Sequence, residues 1–143
     1  MNLLAVATVV VTGFVACAEF GSYALVRPAL HRLAARERIT VEQGLLRTFG
    51  RVMPVGMPVG LVLTIAGVVA EPAPLSWMAA IAFAVAVTTT VLVNVPINLA
   101  TARWDPAYPP ADWQRTRRRW ARFQAFRSWL LLIGFVTAAA AAV

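Results

Sequence analysis

Residues 3–26, LLAVATVVVTGFVACAEFGSYALV, decide the fold, because this long apolar run contains a single charged residue, Glu19. A helix that crosses the hydrocarbon core of a membrane needs about 20 predominantly apolar residues. Three more runs of this kind follow, at residues 53–70, 77–99 and 123–143. The sequence therefore predicts an all-α integral membrane protein whose whole chain forms one four-helix bundle.

Composition and charge also fit a membrane protein. The chain has 143 residues, of which 60% are hydrophobic and 13% are charged, and this leaves too little polar surface for a soluble globule. A net charge of +7 would indicate nucleic acid as the partner of a soluble protein. Here the arginines flank apolar spans, so anionic lipid headgroups account for the charge. We expect membrane lipid as a partner and no nucleic acid.

All 13 basic residues are arginines, and their distribution predicts the orientation of the bundle. They occupy the connection between spans one and two, the connection between spans three and four, and the start of span four, whereas the turn at residues 71–76 has none. Short basic loops are retained in the cytoplasm. We therefore expect a protein of the cytoplasmic membrane with cytoplasmic arginine-rich loops and with both termini outside.

The two arginine-rich connections contain helix signals of their own. Thr40 and Gln43 have the spacing of a capping box, and apolar residues then recur at helical spacing. This pattern predicts a short interfacial helix between spans one and two. Asp112 is a candidate N-cap, so the fourth helix is expected to begin near Trp113, ahead of its apolar run.

Polar residues within the spans are the candidate site, because each costs free energy in hydrocarbon unless it is paired or faces a cavity. Glu19 lies about 10 Å from the inner end of its helix. Five other polar residues are expected at a similar depth on three of the helices, and these are Tyr23, Asn94, Asn98, Gln124 and Arg127. Together they predict one pocket in the cytoplasmic half of the bundle.

Each of these residues also has a structural interpretation. Arg127 can extend to the headgroups, and Asn94 and Asn98 can join neighbouring helices. An isolated Glu19 carboxylate would take up a proton or pair with a cation, which suits either acid/base chemistry or a structural pair with Arg127. The tryptophans are typical of an interfacial belt, although Trp120 is on one helical stripe with Arg127.

Familiar catalytic constellations are missing from the sequence. One histidine, His31, and one cysteine cannot form a usual transition-metal site, and no phosphate loop or serine-elbow motif occurs. We therefore expect no metal and no cofactor, which leaves proton transfer and electrostatic stabilisation. In this hypothesis Glu19 is the acid or base, Asn94 and Asn98 hold an oxygen, and Arg127 stabilises negative charge. Candidate substrate-binding residues are Tyr23, Trp104, Trp120 and Gln124.

Short motifs spread over nearly the whole chain give a family resemblance. They are Arg27-Pro28-Ala29-Leu30, Asn94-Val95-Pro96-Ile97-Asn98, Trp104, Trp113, Arg119-Trp120 and Arg127. In these motifs and in the order of its four spans, the chain resembles the anthrone oxygenase-like membrane family (DUF1772). The resemblance implies cofactor-independent oxidation of a lipophilic anthrone-type polyketide to a quinone.

One position departs from that family. Three residues before the last-span arginine the family commonly has a histidine, where this chain has Gln124, which cannot act as a base near neutral pH. Either Glu19 performs the deprotonation, or the reaction differs. The alternatives are a redox-neutral cyclisation, isomerisation or epoxide opening of a polyketide or terpenoid with Glu19 as the acid, and a non-catalytic accessory or binding subunit. A homo-oligomer is compatible with the sequence.

The orientation can be tested by cysteine labelling in intact cells. Because the arginine-rich loops are expected in the cytoplasm, Arg38→Cys and Arg118→Cys should be labelled by an impermeant maleimide only after the membrane is opened, and Glu71→Cys without opening it. A Cys17→Ser background removes the native thiol. Labelling of the Arg118→Cys protein in sealed cells would contradict the four-span orientation.

Overall fold

A computed structural model describes residues 2–143, and this part of the chain consists of four long helices with no strand. Their bounds are Leu3–Leu30 (α1), Ala35–Ala70 (α2), Pro74–Ala102 (α3) and Trp113–Ala141 (α4). Each helix is long and apolar enough to cross a membrane. α1 and α3 each pack against both α2 and α4, so the helices form an antiparallel ring. The predicted integral membrane four-helix bundle is confirmed.

The bundle has an apolar exterior and a partly polar interior. Large apolar side chains such as Val10, Phe14 and Val62 are more than half exposed on the outside. Thr12 and Ser128, by contrast, are fully buried between the helices. This arrangement matches a lipid environment, in which apolar groups face the lipid chains and polar groups must find partners inside the bundle.

The expected short interfacial helix is not a separate element. Ala35–Ala70 is one continuous helix that accommodates Pro54 and Pro58 without a break. Its buried face also continues across the expected boundary, from Ile39 at one end to Val68 at the other. The interfacial helix was therefore a wrong prediction: the amphipathic segment is the start of the second span, and its apolar side packs inside the bundle.

The expected capping box does not form, because its two side chains bind elsewhere. Thr40 Oγ1 donates to the carbonyl of Arg36 within α2, at 2.9 Å. Gln43 Nε2 donates to the carbonyls of Thr101 and Trp104, at 3.0 and 2.9 Å. The last carbonyls of a helix have no partners within it, so Gln43 caps the end of α3 instead of the start of its own helix.

Two helices contain one wide π-helical turn each, Ser22–Val26 in α1 and Thr90–Asn94 in α3. In both cases a proline follows closely, Pro28 or Pro96. A proline ring clashes with the carbonyl four residues earlier, which lies within the wide turn in both helices. The wider turn relieves that clash, and it also changes which side chains of the helix share a face.

The middle of the bundle is packed around Phe83 of α3, which is fully buried. Gly60 of α2 and Gly134 of α4 lie against its ring on either side. A Cβ atom at Gly60 would lie 2.6 Å from Phe83 Cε1, and one at Gly134 would lie 2.8 Å from Cδ2. The two glycines therefore let α2 and α4 approach α3 closely, as small residues do at membrane helix interfaces.

A matched pair of glycine substitutions in α2 tests this packing. We expect Gly60→Ala to lower the free energy of unfolding by about 1–3 kcal/mol, because the added methyl group collides with Phe83. Gly67→Ala adds the same methyl group where nothing lies within 4 Å, and should be neutral or stabilise by up to about 1 kcal/mol. The measurement is reversible unfolding in mixed detergent micelles. Equal stabilities of the two variants would contradict the packing.

Candidate active site

The four helices surround a cavity of about 230 Å³ in the half of the bundle that contains the arginine-rich connections. Its wall is largely apolar and includes Leu45, Leu46, Phe49, Met53, Met57 and Val87. One water takes up roughly 30 Å³ in the liquid, so this space holds a small organic molecule. An apolar cavity with a few convergent polar groups is the usual form of a small-molecule site.

Glu19 of α1 and Arg127 of α4 form a buried ion pair in this wall. Arg127 Nη2 donates to Glu19 Oε2 at 2.8 Å, and the side chains are 7% and 3% exposed. Thr90 Oγ1 of α3 accepts from Arg127 Nη1 at 3.1 Å, and Ser128 Oγ donates to the Glu19 carbonyl at 3.3 Å. Arg127 therefore does not extend to the headgroups. Within residues 2–143 its Nε atom has no hydrogen-bond partner.

A second carboxylate, Glu42 of α2, lies in the same cavity wall and is 5% exposed. Arg38 Nε donates to Glu42 Oε1 at 3.1 Å. Arg117 Nε lies 2.8 Å from Glu42 Oε2. The two atoms form an ion pair, but their orientation is not that of a hydrogen bond. Arg117 also donates from Nη1 to Thr101 Oγ1 at 3.3 Å and lies 4.2 Å from the centre of the Trp120 ring. We call Glu42, Arg38 and Arg117 the Glu42 cluster.

Three further polar atoms of the wall are buried and have no hydrogen-bond partner in the described part of the chain. They are Asn98 Oδ1, Trp120 Nε1 and Gln124 Oε1. Gln124 is anchored through its other end, since Nε2 donates to Ser22 Oγ at 3.2 Å. Buried polar groups are normally hydrogen-bonded, so two acceptors and one donor are left for a ligand or for water in the cavity.

Asn94 and Asn98 are separated by the structure, although they are one turn apart on α3. Asn94 is fully buried and does not line the cavity. Its Nδ2 atom donates to the carbonyl of Trp120 at 3.2 Å and joins α3 to α4. Asn94 is therefore placed to join helices, whereas Asn98 is placed to hold an oxygen of a ligand.

Tyr23 does not line the cavity, contrary to its expected position below Glu19. The wide turn Ser22–Val26 begins between the two residues, so a spacing of four no longer keeps both on one face. The Tyr23 ring packs edge-on against Phe20, with centroids 5.8 Å apart, and lies under the guanidinium of Arg27 at 5.6 Å. The prediction for Tyr23 was wrong because it assumed a regular α-helix, in which residues i and i+4 share a face.

The tryptophans of the arginine-rich end do not form one belt. Trp120 lines the cavity, and Trp113 is buried beneath the Arg38 guanidinium at 5.5 Å. Trp104 is half-buried beyond the end of α3 and lies outside the cavity wall. Trp129 is 50% exposed on the outside of the bundle, which is the position of a belt residue. Of the expected substrate-binding tryptophans, only Trp120 reaches the cavity.

Sequence reasoning missed the Glu42 cluster, together with Arg27 and His31, which also line the cavity. Glu42 was assigned to a separate interfacial helix, Arg27, His31 and Arg38 to the connection before it, and Arg117 to the part of the fourth helix that precedes its apolar run. A signal was present: Glu42 is at helical spacing with Phe49 and Met53, on the face that the second span buries. A charged residue on a buried apolar stripe is a candidate for a polar cavity, and extending that stripe backwards would have found it.

The cavity thus offers two carboxylates, several guanidinium groups and unpaired amide and indole groups. These groups can accept a proton, hold hydroxyl or carbonyl oxygens and stabilise negative charge. Among residues 2–143, no group of three or more His, Cys, Asp and Glu side chains could hold a metal ion.

Comparison with known proteins gives one family. A family model described as anthrone oxygenase matches residues 45–137, well over half of the chain. Nothing matched in the comparisons with curated proteins and with solved structures. The matched region contains Gln124, Arg127 and both asparagines, whereas the carboxylates Glu19 and Glu42 lie outside it.

Proposed function

Because the chain belongs to the anthrone oxygenase family, we propose that it is a membrane-embedded enzyme that oxidises a lipophilic anthrone-type aromatic to a quinone without a metal or flavin. The observation that carries this proposal is the Glu19–Arg127 ion pair in the wall of an apolar cavity. The pair supplies a proton acceptor and a fixed positive charge at one place. A substrate from the membrane can partition into such a cavity directly.

The first step is proton abstraction from the methylene carbon between two aromatic rings. Glu19 accepts the proton, and the electron pair moves onto the ring-ketone oxygen to give an enolate. The negative charge therefore moves from the carboxylate to the enolate oxygen, and Arg127 is beside both positions. Arg127 Nε has no other partner in the described chain and can donate to that oxygen. Because the net charge of the site does not change, the step avoids creating an unpaired charge in a low-dielectric interior.

The second step consumes molecular oxygen. The enolate carbon binds O₂ to form a peroxide anion, which takes the proton back from Glu19 to become a hydroperoxide. Loss of water from the hydroperoxide leaves the new carbonyl. One oxygen atom of O₂ ends in the quinone and the other in water, and the two methylene hydrogens leave with the water. Glu19 and Arg127 are thereby returned to the ion pair.

Two features bear on the alternative reactions. A carboxylate that is paired with an arginine is a proton acceptor, which favours deprotonation over an acid-catalysed cyclisation or epoxide opening. Gln124, at the position of the family's usual histidine, cannot act as a base, so the second candidate is a redox-neutral isomerisation in which Glu19 returns its proton to another carbon and no oxygen is consumed. Quinone formation coupled to oxygen uptake distinguishes the two outcomes.

Replacement of Glu19 tests the proposed base. Glu19→Gln retains the shape of the side chain and removes the proton acceptor, so oxidation of a hydroxyanthrone should fall roughly 100-fold or more. Quinone absorbance and oxygen uptake in lipid nanodiscs are the readouts. Glu37→Gln, which removes an exposed carboxylate outside the cavity, should leave the rate unchanged.

A double variant separates catalysis from stability. Glu19→Gln alone leaves Arg127 as an unpaired buried charge, which costs about 3–5 kcal/mol. The double variant Glu19→Gln/Arg127→Gln removes both charges and should recover most of the lost stability while remaining inactive. Activity of the folded double variant near the original rate would show that the pair is structural. A requirement for added metal or flavin would contradict the cofactor-free mechanism.

A further inference from the structure

The charges that line the cavity do not balance. Among the described residues the wall contains four arginines and two glutamates, so positive groups outnumber negative groups by two. His31 lines the cavity as well. The arginines are Arg27, Arg38, Arg117 and Arg127, and the glutamates are Glu19 and Glu42.

The excess positive charge lies at one end of the cavity. Glu19 and Arg127 neutralise each other at 2.8 Å. At the other end, Glu42 alone faces Arg27, Arg38 and Arg117, and both Arg27 and Arg38 lie close enough to Arg117 for their charges to repel it. Arg117 is 4% exposed and Arg38 is 17% exposed, so water screens this repulsion only in part.

Aromatic faces and carbonyls hold the arginines in place without neutralising them. Arg38 lies over Trp113 and Arg117 over Trp120, at 5.5 and 4.2 Å from the ring centres. Arg27 donates from Nη1 to the carbonyl of Ala121 at 3.0 Å. An anionic group entering this end would complete the charge balance, because its attraction to the arginines is not offset by a second protein carboxylate.

We propose that the end of the cavity around the Glu42 cluster and Arg27 is a subsite for an anionic group, so that the ligand is a lipophilic acid with a carboxylate. This inference rests on the proposed function only in taking the cavity as the substrate site. The apolar wall at Leu45, Phe49 and Met53 takes the hydrocarbon body of the ligand.

The separation of the two charged regions limits the shape of that ligand. Arg117 and Arg127 are ten residues apart on α4, so their Cα atoms are about 15 Å apart along the helix axis. A ligand whose carboxylate lies at the Glu42 cluster therefore reaches Glu19 only with an elongated body. A body of several fused or linked rings meets this requirement.

The test compares two ligands with the same three-ring body and different charge. Anthracene-2-carboxylate and 2-(hydroxymethyl)anthracene are titrated into nanodiscs of phosphatidylcholine with and without the protein, and binding is followed by anthracene fluorescence. After subtraction of partitioning into empty nanodiscs, the carboxylate should bind about tenfold more tightly than the alcohol. Equal affinities would overturn the anionic subsite.

Charge variants of opposite sign separate electrostatics from loss of fold. Arg38→Gln should weaken binding of the carboxylate about tenfold and leave binding of the alcohol unchanged. Glu42→Gln should strengthen binding of the carboxylate, because it removes the one negative charge of the subsite. Arg118→Gln removes an exposed arginine outside the cavity and should change neither affinity. Weaker carboxylate binding in the Glu42→Gln protein, with binding of the alcohol intact, would overturn the proposal.

Two further arms identify the source of the anion and the cause of any failure. Replacement of part of the phosphatidylcholine by phosphatidylglycerol lowers binding of the carboxylate more than that of the alcohol if a lipid headgroup occupies the same subsite. If phosphatidylglycerol does not compete in this way, the subsite is one for small acids.

If neither anthracene ligand binds, the cavity is not the substrate site and the proposed function fails as well. If both bind equally, only the anionic subsite fails.

Discussion

The structure depends on the burial of a carboxylate and a guanidinium in a bundle that is surrounded by lipid. Hydrocarbon cannot solvate either group, so each must find the other or remain an unpaired charge. Glu19 and Arg127 are on the first and last helices, and their contact fixes how α1 and α4 pack. Thr90 adds α3 to the same arrangement through its bond to Arg127. The ion pair therefore joins three of the four helices that surround the cavity.

The same constraint favours the proposed chemistry. A buried ion pair is a poor source of stability, because the cost of desolvation offsets much of its attraction. It is well suited to a reaction that moves negative charge over a short distance beside a fixed cation. The wide turns in α1 and α3 adjoin the pair, and they move Tyr23 away from the cavity while Ser22 and Thr90 lie in its wall. Such turns are frequent at functional sites in helices.

Much of the fold follows from hydropathy alone, and the site follows only in part. Four spans, their order and the early start of α4 at Trp113 were predictable, since each depends on local sequence. Hydropathy indicates where a chain enters hydrocarbon and not where its helix ends, so the start of α2 was assigned to a separate helix. Glu42 was missed for that reason. Two buried opposite charges in separate spans made the Glu19–Arg127 pair foreseeable.

The remaining errors arise from geometry that residue spacing cannot express. Tyr23 was misplaced because a wide turn changes the helical period, and Asn94 because its amide bonds to the Trp120 carbonyl instead of facing the cavity. The first follows from the wide turn ahead of Pro28, and the second depends on which backbone carbonyl lies nearby in three dimensions.

Hydrogen exchange at the substrate carbon tests the central claim most directly. In D₂O without oxygen, a hydroxyanthrone bound to the protein can be deprotonated but not oxidised, and NMR reports deuterium at its methylene carbon. We expect the protein to accelerate this exchange and Glu19→Gln to return it to the rate in empty nanodiscs. Exchange at the uncatalysed rate in a protein that still forms quinone when oxygen is admitted would contradict proton abstraction by Glu19.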